Sequence, residues 1–276
     1  MSTLTATSDP ASVPRSSSGA FLKWALPLVF LVVVVAIWEY CVDAGLTPQK
    51  VVPAPSEIWA AFFREWNTLG PAWLFTIEVT IEGFVLAVVG GVVLAVLFSM
   101  SRLVEYTLYP YAIILQVTPV LAIAPLLLVI LSQGTVLLVC VWLVAFFPVL
   151  ANTLIGLRST DHNLLNLFEL YRASPWQKLW VLRLRSALPY FLGGVRIAGG
   201  LSLIGAVVAE LATGAGGARG GLGYVIYLAP RYFAYPRAYA ALVLLSLSGI
   251  VIFLLLSFVS HLLLHKWHES ALKREN

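Results

Sequence analysis

Two acidic residues stand inside an apolar run, where a carboxylate needs water or a partner. Glu78 and Glu82 lie four residues apart in the run 72–100 and therefore share one face of a helix. Acids at membrane depth line a water-filled path, relay protons or meet a partner. Alternatively the helix projects beyond the lipid, and the run is longer than the roughly 20 residues that a span requires. Both residues are candidates for a pathway or its mouth.

Prolines mark a second candidate for a path. The apolar run 107–131 contains Pro110, Pro119 and Pro125. Proline frees backbone carbonyl groups, and at membrane depth these must be satisfied by neighbouring helices or by a water-filled cavity. We expect this run either to line a path, with Pro119 and Pro125 near it, or to be a kinked structural helix.

The sequence contains few residues in patterns typical of nucleotide or metal binding. No stretch matches the P-loop pattern G-x-x-x-x-G-K-[ST], and the glycine-rich run 214–223 follows an apolar run, where the dinucleotide motif would follow a strand. His261, His265 and His268 share a helix face, which allows a metal site or a contact with lipid headgroups at a helix end. We predict no metal, no cofactor bound by this chain and no enzymatic activity.

Composition places these residues in a membrane. Hydrophobic residues make up 60% and charged residues 11% of the 276 residues, whereas soluble proteins carry about 25% charged residues. We predict an all-α, polytopic membrane helix bundle. Its six candidate spans are 21–42, 72–100, 107–131, 135–157, 188–211 and 237–264.

The remaining segments complete the predicted domain organisation. We expect a disordered cytoplasmic N-terminus over 1–20, an outer segment with an amphipathic helix over 43–71, a core membrane domain over 72–264 and a cytoplasmic tail over 265–276. Lys and Arg concentrate on the side that holds both termini and the segment 158–187, which predicts that this side is cytoplasmic. Because no basic face carries interleaved aromatic residues, we expect no nucleic acid partner.

The segment 158–187 is too long to serve only as a turn. A short amphipathic helix over 162–172 would present apolar side chains, Leu164, Leu165, Leu167 and Phe168. Ser174 and Pro175 would end it and start the next helix, Ser174 as the N-cap and Pro175 as the first residue. Such a helix either docks in a groove of a partner or lies on lipid headgroups.

Eight short sequence blocks follow one another between residues 52 and 224. They are VPAPSEIW (52–59), AIAPL (122–126), FFPVLANTLIG (146–156), ASPWQ (173–177), LP (188–189), GVRIA (194–198), AEL (209–211) and GLGY (221–224). Through their order and spacing these blocks resemble the permease subunits of bacterial ATP-binding-cassette importers, more narrowly the nitrate/sulfonate/taurine type. The resemblance covers roughly residues 50–268.

The coupling-loop signature of that family, E-A-A-x-x-x-G, is degenerate in this chain. Aligned on Ala173, its first three positions hold Asn166, Leu167 and Phe168, its glycine position holds Arg172, and Glu169 lies three residues late. If the glycine normally adopts a left-handed conformation, we expect Arg172 to alter the turn.

The resemblance implies a type I importer permease in the bacterial inner membrane that works by alternating access. Two copies would form the pathway, an ATPase subunit carrying ATP and Mg²⁺ would dock on the loop 158–187, and a periplasmic or lipid-anchored solute-binding protein would deliver substrate. The resemblance also places Glu210 at the membrane interface or at a vestibule.

Substrate and rival functions stay open at this point. A nitrate- or sulfonate-like anion and a pyrimidine-type heterocycle both fit the resemblance, and Arg219, Arg231 and Arg237 would favour an anion unless they contact protein or lipid. The rivals are an ATP-independent transporter that relays protons through Glu78 and Glu82, and a membrane assembly protein that transports nothing.

Overall fold

All regular elements in the described part of the chain are helices, which confirms the all-α class. The computed structural model describes residues 18–47, 51–214 and 220–271, with side chains from 25 to 265 within these ranges. The α-helices are α1 (Ser18–Asp43), α2 (Pro55–Arg64), α3 (Trp66–Met100), α4 (Arg102–Val117), α5 (Val120–Leu127), α6 (Gln133–Arg158), α7 (His162–Leu170), α8 (Pro175–Gln177), α9 (Leu184–Thr213), α10 (Leu222–Leu228) and α11 (Tyr235–Ala271).

Five helices are long and apolar enough to cross a membrane, and a bent pair makes a sixth span. The predicted membrane helix bundle is therefore confirmed, with shifted bounds. The second span begins at Trp66, and the fifth belongs to a continuous helical run, Pro175–Thr213. A π-helical turn, Lys178–Arg183, joins α8 to α9 within that run. Most of the predicted N-terminal segment (1–17) and the last part of the predicted tail (272–276) lie outside the described residues.

The described residues up to Ser56 form a compact unit of their own. Its helix α1 exposes most of its apolar side chains, as a lipid-facing span does. Near its end, the carboxylate of Glu39 accepts hydrogen bonds from the backbone N–H of Ser56 at 3.1 Å and from its hydroxyl at 2.5 Å. Both residues of this contact belong to the first unit.

The core of the second unit consists of α3, α6 and α9, which pack through small residues. A Cβ atom on Gly91 of α3 would lie 2.8 Å from Val149 Cβ of α6, and one on Gly194 of α9 would lie 2.8 Å from the carbonyl oxygen of Pro148. Small residues let membrane helices approach closely, and van der Waals packing then replaces the hydrophobic effect as the source of stability.

The span predicted over 107–131 is not one kinked helix. The helices α4 and α5 meet at 96°. Thr118 is extended, with ψ 126°, because proline at 119 disfavours the helical conformation of the preceding residue and supplies no N–H. Beyond the bend α5 packs on α6 and α9, as shown by the burial of Ala124 in one cluster with Cys140 and Ala206.

Side-chain contacts close the bundle at the end where α7 lies, which we call the α7 end. Arg158 of α6 forms an ion pair with Glu105 of α4 at 2.5 Å. Arg183, in the π-helical turn, donates a hydrogen bond to the carbonyl oxygen of Ser99 in α3 at 3.2 Å. The first contact joins α6 to α4, and the second joins the start of the run Pro175–Thr213 to the end of α3. The opposite end, with α10, is called the α10 end.

Candidate functional site

The helix α7 presents its apolar residues outward. Its N-terminus is capped by Asp161, whose side chain accepts from the N–H of Asn163 at 2.8 Å. None of its residues is buried. The docking surface, as we define it, comprises the exposed apolar side chains of this end, Leu164, Leu167, Leu170, Tyr171 and Trp176. Phe168, which the sequence predicted as a knob, is only half-exposed.

Three of these residues, Leu170, Tyr171 and Trp176, were missed from the sequence. Leu170 is 82% exposed and Tyr171 80% exposed, compared with 43% for Leu164 and 44% for Leu167 of the predicted set. The signal was present, because Leu164, Leu167 and Leu170 follow the i, i+3 spacing of a single helical stripe.

Arg172 ends α7 in a left-handed conformation with φ 54°. The N–H of Ala173 donates to the carbonyl oxygen of Phe168 at 2.9 Å, a bond that closes the helix end around a left-handed residue. The sequence led us to expect that Arg172 alters the turn; in the structure Arg172 itself adopts the left-handed conformation that suits glycine. This conformation is strained in a residue that carries a side chain.

The next helix starts as predicted. Ser174 Oγ accepts from the N–H of Gln177 at 3.3 Å, while Gln177 Oε1 accepts from the N–H of Ser174 at 2.7 Å. This reciprocal capping box has Pro175 within the first turn. Glu169 is paired with Lys178 at 3.0 Å, so its carboxylate joins α7 to the π-helical turn.

A groove runs beside the docking surface. Its volume is about 400 Å³, and its lining residues are Leu167, Phe168, Tyr171, Ala173, Gln177 and Val181. The groove separates α7 from the π-helical turn, and its walls are mostly apolar. It adds concave area to an otherwise convex surface.

A larger cavity lies at the α10 end. This α10 cavity has a volume of about 610 Å³ and is formed by the first half of α3, by α10 and its 3₁₀ extension, and by the start of α11. Its polar and aromatic lining residues are Asn67, Thr68, Phe75, Glu78, Tyr224, Tyr232 and Arg237. Its size falls within the range of small-molecule sites.

The cavity takes in only one of the predicted pathway residues. Glu78 lines it and is exposed. Glu82 is exposed one turn further along α3, outside this lining. Pro119 and Pro125 are exposed on the bent pair and also lie outside it.

Glu210 does not face the cavity. It is fully buried, and its carboxylate accepts hydrogen bonds from Thr76 Oγ1 at 2.9 Å and from the N–H of Gly223 at 2.7 Å. Thr76 Oγ1 in turn accepts from the N–H of Leu222 at 2.8 Å. This corrects the expectation of a vestibule residue: the Glu210 network joins α3, α9 and the start of α10 beneath the cavity wall.

Gly221 completes the network by having no side chain. A Cβ atom at this position would occupy the place of the Glu210 carboxylate. A Cβ on Gly223 would lie 2.8 Å from the carbonyl oxygen of Val207 and 2.9 Å from Glu210 Oε2. These two glycines therefore serve close backbone approach. The run 214–223 is only partly described, since 215–219 lie outside the described residues.

The arginines at this end are engaged elsewhere. Arg237 forms an ion pair with Glu65. Arg231 stacks on the ring of Tyr227, 3.8 Å from its centroid, and does not line the cavity. Arg219 lies outside the described residues.

The histidines of α11 form no metal cluster in the part described. Among described side chains, no group of three or more His, Cys, Asp or Glu residues comes together. His261 and His265 contact each other edge to face, with ring centroids 6.1 Å apart. The side chain of His268 lies outside the described residues.

Comparison with known proteins accords with this architecture. The model of the family "Binding-protein-dependent transport system inner membrane component" matches residues 87–273. A probable ABC transporter permease protein of Haemophilus influenzae is 34% identical over 236 residues, covering 85% of this chain and 95% of that protein.

Two relatives whose names state a substrate match a similar share of this chain. A formylaminopyrimidine transport permease of Halalkalibacterium halodurans is 33% identical over 86% of this chain and 94% of its own length. A putative aliphatic sulfonates transport permease of Bacillus subtilis is 28% identical over 86% of this chain and 89% of its own length. The chain is thus an inner-membrane permease for small solutes and belongs to the family of binding-protein-dependent transport system inner membrane components.

Proposed function

We propose that this chain is the pathway-forming subunit of an ATP-driven importer whose ATPase is a separate protein that binds at the docking surface. Leu170 and Tyr171 carry the proposal, because they are among the most exposed apolar side chains and sit on a helix that buries nothing of its own. An apolar helix face of this kind fits a groove in a partner.

The helical run Pro175–Thr213 supplies the mechanical link. It begins beside the docking surface and carries Glu210 in its last turn, where the Glu210 network fixes the start of α10 and so one wall of the α10 cavity. Movement imposed on α7 by an ATPase would reach the far end of the bundle through one continuous helix. Alternating access requires such a two-state element biased from both ends.

The other components follow from the family resemblance. A solute-binding protein delivers substrate at the α10 end, a second copy of this chain completes the pathway, and both termini with α7 lie in the cytoplasm. The substrate is either a nitrate- or sulfonate-like anion or a pyrimidine-type heterocycle. The family match favours this importer over a proton-coupled transporter.

Affinity purification from native membranes, followed by mass spectrometry, tests the ATPase partner. We expect an ATP-binding-cassette ATPase to copurify with the wild-type chain and to be lost with Leu167→Asp and Leu170→Asp together. Both side chains are exposed, so folding is not at risk.

The matched control is Asn166→Asp, which adds a negative charge to the same helix at an exposed polar position. It should retain the ATPase, since docking depends on apolar contact. Absence of any ATPase from the wild-type purification under mild conditions contradicts the proposal, as does equal loss in the control.

A further inference from the structure

We infer that the α10 cavity selects a neutral or cationic heteroaromatic solute that donates a hydrogen bond, and disfavours small anions. This inference rests on the proposed function, because it names the substrate class of the same importer. It also assigns to Glu78 the role of the selecting group, as a ligand of the passing solute.

Aromatic walls give the cavity its shape preference. Phe75 on α3, Tyr224 on α10 and Tyr232 on the 3₁₀ turn line it from different elements. A volume of about 610 Å³ accommodates a one- or two-ring compound with water to spare. Planar π-systems stack on such side chains, whereas a compact oxyanion gains little from them.

The carboxylate of Glu78 determines which solute charge the cavity attracts. Within the described residues Glu78 has no ion-pair partner and no hydrogen-bond donor, although it lies on a membrane-spanning helix. A carboxylate in that position is stabilised by a ligand that brings a positive charge or an N–H group. An anion beside it would be repelled, which is the repulsive element that specificity requires.

The positive charge of Arg237 does not neutralise the negative charge of Glu78. Arg237 lines the same cavity, but its guanidinium is paired with Glu65, which stands at the junction of α2 and α3. Arg237 and Glu65 together contribute no net charge. Glu78 therefore sets the net charge of the described lining.

Saturation-transfer NMR on the full-length permease in nanodiscs of phosphatidylglycerol tests this inference. Phosphatidylglycerol has no amino group, so lipid headgroups cannot supply the same chemistry; a second sample in phosphatidylethanolamine reports any competition from a lipid amine. The probes are 4-aminopyrimidine and pyrimidine-4-carboxylate, which share a ring and differ in the substituent, with nitrate and ethanesulfonate as competitors.

We expect the amino compound to bind at least about tenfold more tightly than the carboxylate, as a charge-assisted hydrogen bond would give. Glu78→Gln should reduce this preference to less than about threefold. Glu82→Gln, which removes the same charge one helical turn outside the cavity, should preserve it. Thermal unfolding midpoints equal to wild type establish that both variants are folded.

Three results would overturn the inference: tighter binding of the carboxylate, displacement of the amino compound by nitrate or ethanesulfonate, or an unchanged preference in Glu78→Gln. Because the full chain is used, the charge of Arg219 is included in the measurement. The assay needs no ATPase, so a failed copurification would refute the proposed importer without affecting this result. Conversely, an anion preference would refute the inference and leave the importer standing.

Discussion

Thr76 and Glu210 are 134 residues apart and share a hydrogen bond of 2.9 Å in the buried interior. The same threonine oxygen accepts from the N–H of Leu222, so one hydroxyl serves α3, α9 and α10. A single side chain thereby accepts from the start of α10 and donates to a buried carboxylate.

Replacement of Thr76 tests how much this hydroxyl contributes. Thr76→Val removes the donor to Glu210 and the acceptor for Leu222, and leaves buried polar groups unsatisfied at a cost of about 1–3 kcal/mol. We expect a lower thermal unfolding midpoint in detergent. Thr76→Ser keeps the hydroxyl and should stay close to wild type. Equal midpoints for the valine and serine variants would show that the network does not stabilise the fold.

Substitution of Gly221 gives a sharper test, because any residue with a Cβ atom would clash with Glu210. Gly221→Ala places a methyl group where the Glu210 carboxylate lies. We expect destabilisation of about 1–3 kcal/mol, as overpacking in a core gives. The matched control is Gly200→Ala in α9, where nothing lies within 4 Å of the added atom. That substitution should be neutral or should stabilise the helix by about 0.5–1 kcal/mol. A control variant less stable than Gly221→Ala would contradict the geometry.

The strained end of α7 predicts a gain in order from a single glycine. Arg172→Gly relieves a left-handed conformation that costs a side-chain-bearing residue about 1 kcal/mol. Hydrogen exchange of the amides in α7 should become about fivefold slower, if their exchange reflects local opening. Arg172→Ala removes the same charge but keeps the strain, and it should exchange like wild type. Slower exchange in both variants would assign the effect to charge instead.

The ion pair between Glu105 and Arg158 predicts a charge-reversal rescue. The arginine side chain is 51% exposed and the glutamate 15% exposed, so the pair contributes up to about 1 kcal/mol. Glu105→Lys and Arg158→Glu should each lower the unfolding midpoint slightly, and the double variant should recover most of the loss. A double variant that shows the summed loss would mean that the two side chains do not interact.

Local chemistry could be predicted from the sequence, whereas contacts between distant segments could not. The Ser174 cap was predictable because Pro175 and Gln177 follow it within one helical turn. The span positions were predictable because bilayer thickness sets their length. The 96° bend after Thr118 was not, since proline permits both a kink and a full break, and packing of α5 on α6 and α9 decides between them.

The environment of Glu210 could not be predicted from the sequence either, because it also depends on contacts between distant segments. Its position beside Ala209 suggested a vestibule, but its environment depends on Thr76 far upstream and on Gly223 thirteen residues downstream. Only the structure brings these three residues together. The cavity lining has the same origin, because Glu78 and Tyr224 approach through folding of α10 onto α3.

The Glu210 network joins segments of the chain that are synthesised at different times. Thr76 is synthesised long before Glu210, whereas Gly221 and Gly223 are synthesised after it. Glu210 stands only three residues before the last residue of α9, Thr213, where an acid costs the insertion machinery less than it would at the helix centre. The carboxylate can wait near the membrane surface until α10 arrives and encloses it. Closure of the network therefore requires α10, the last of its three helices in the chain.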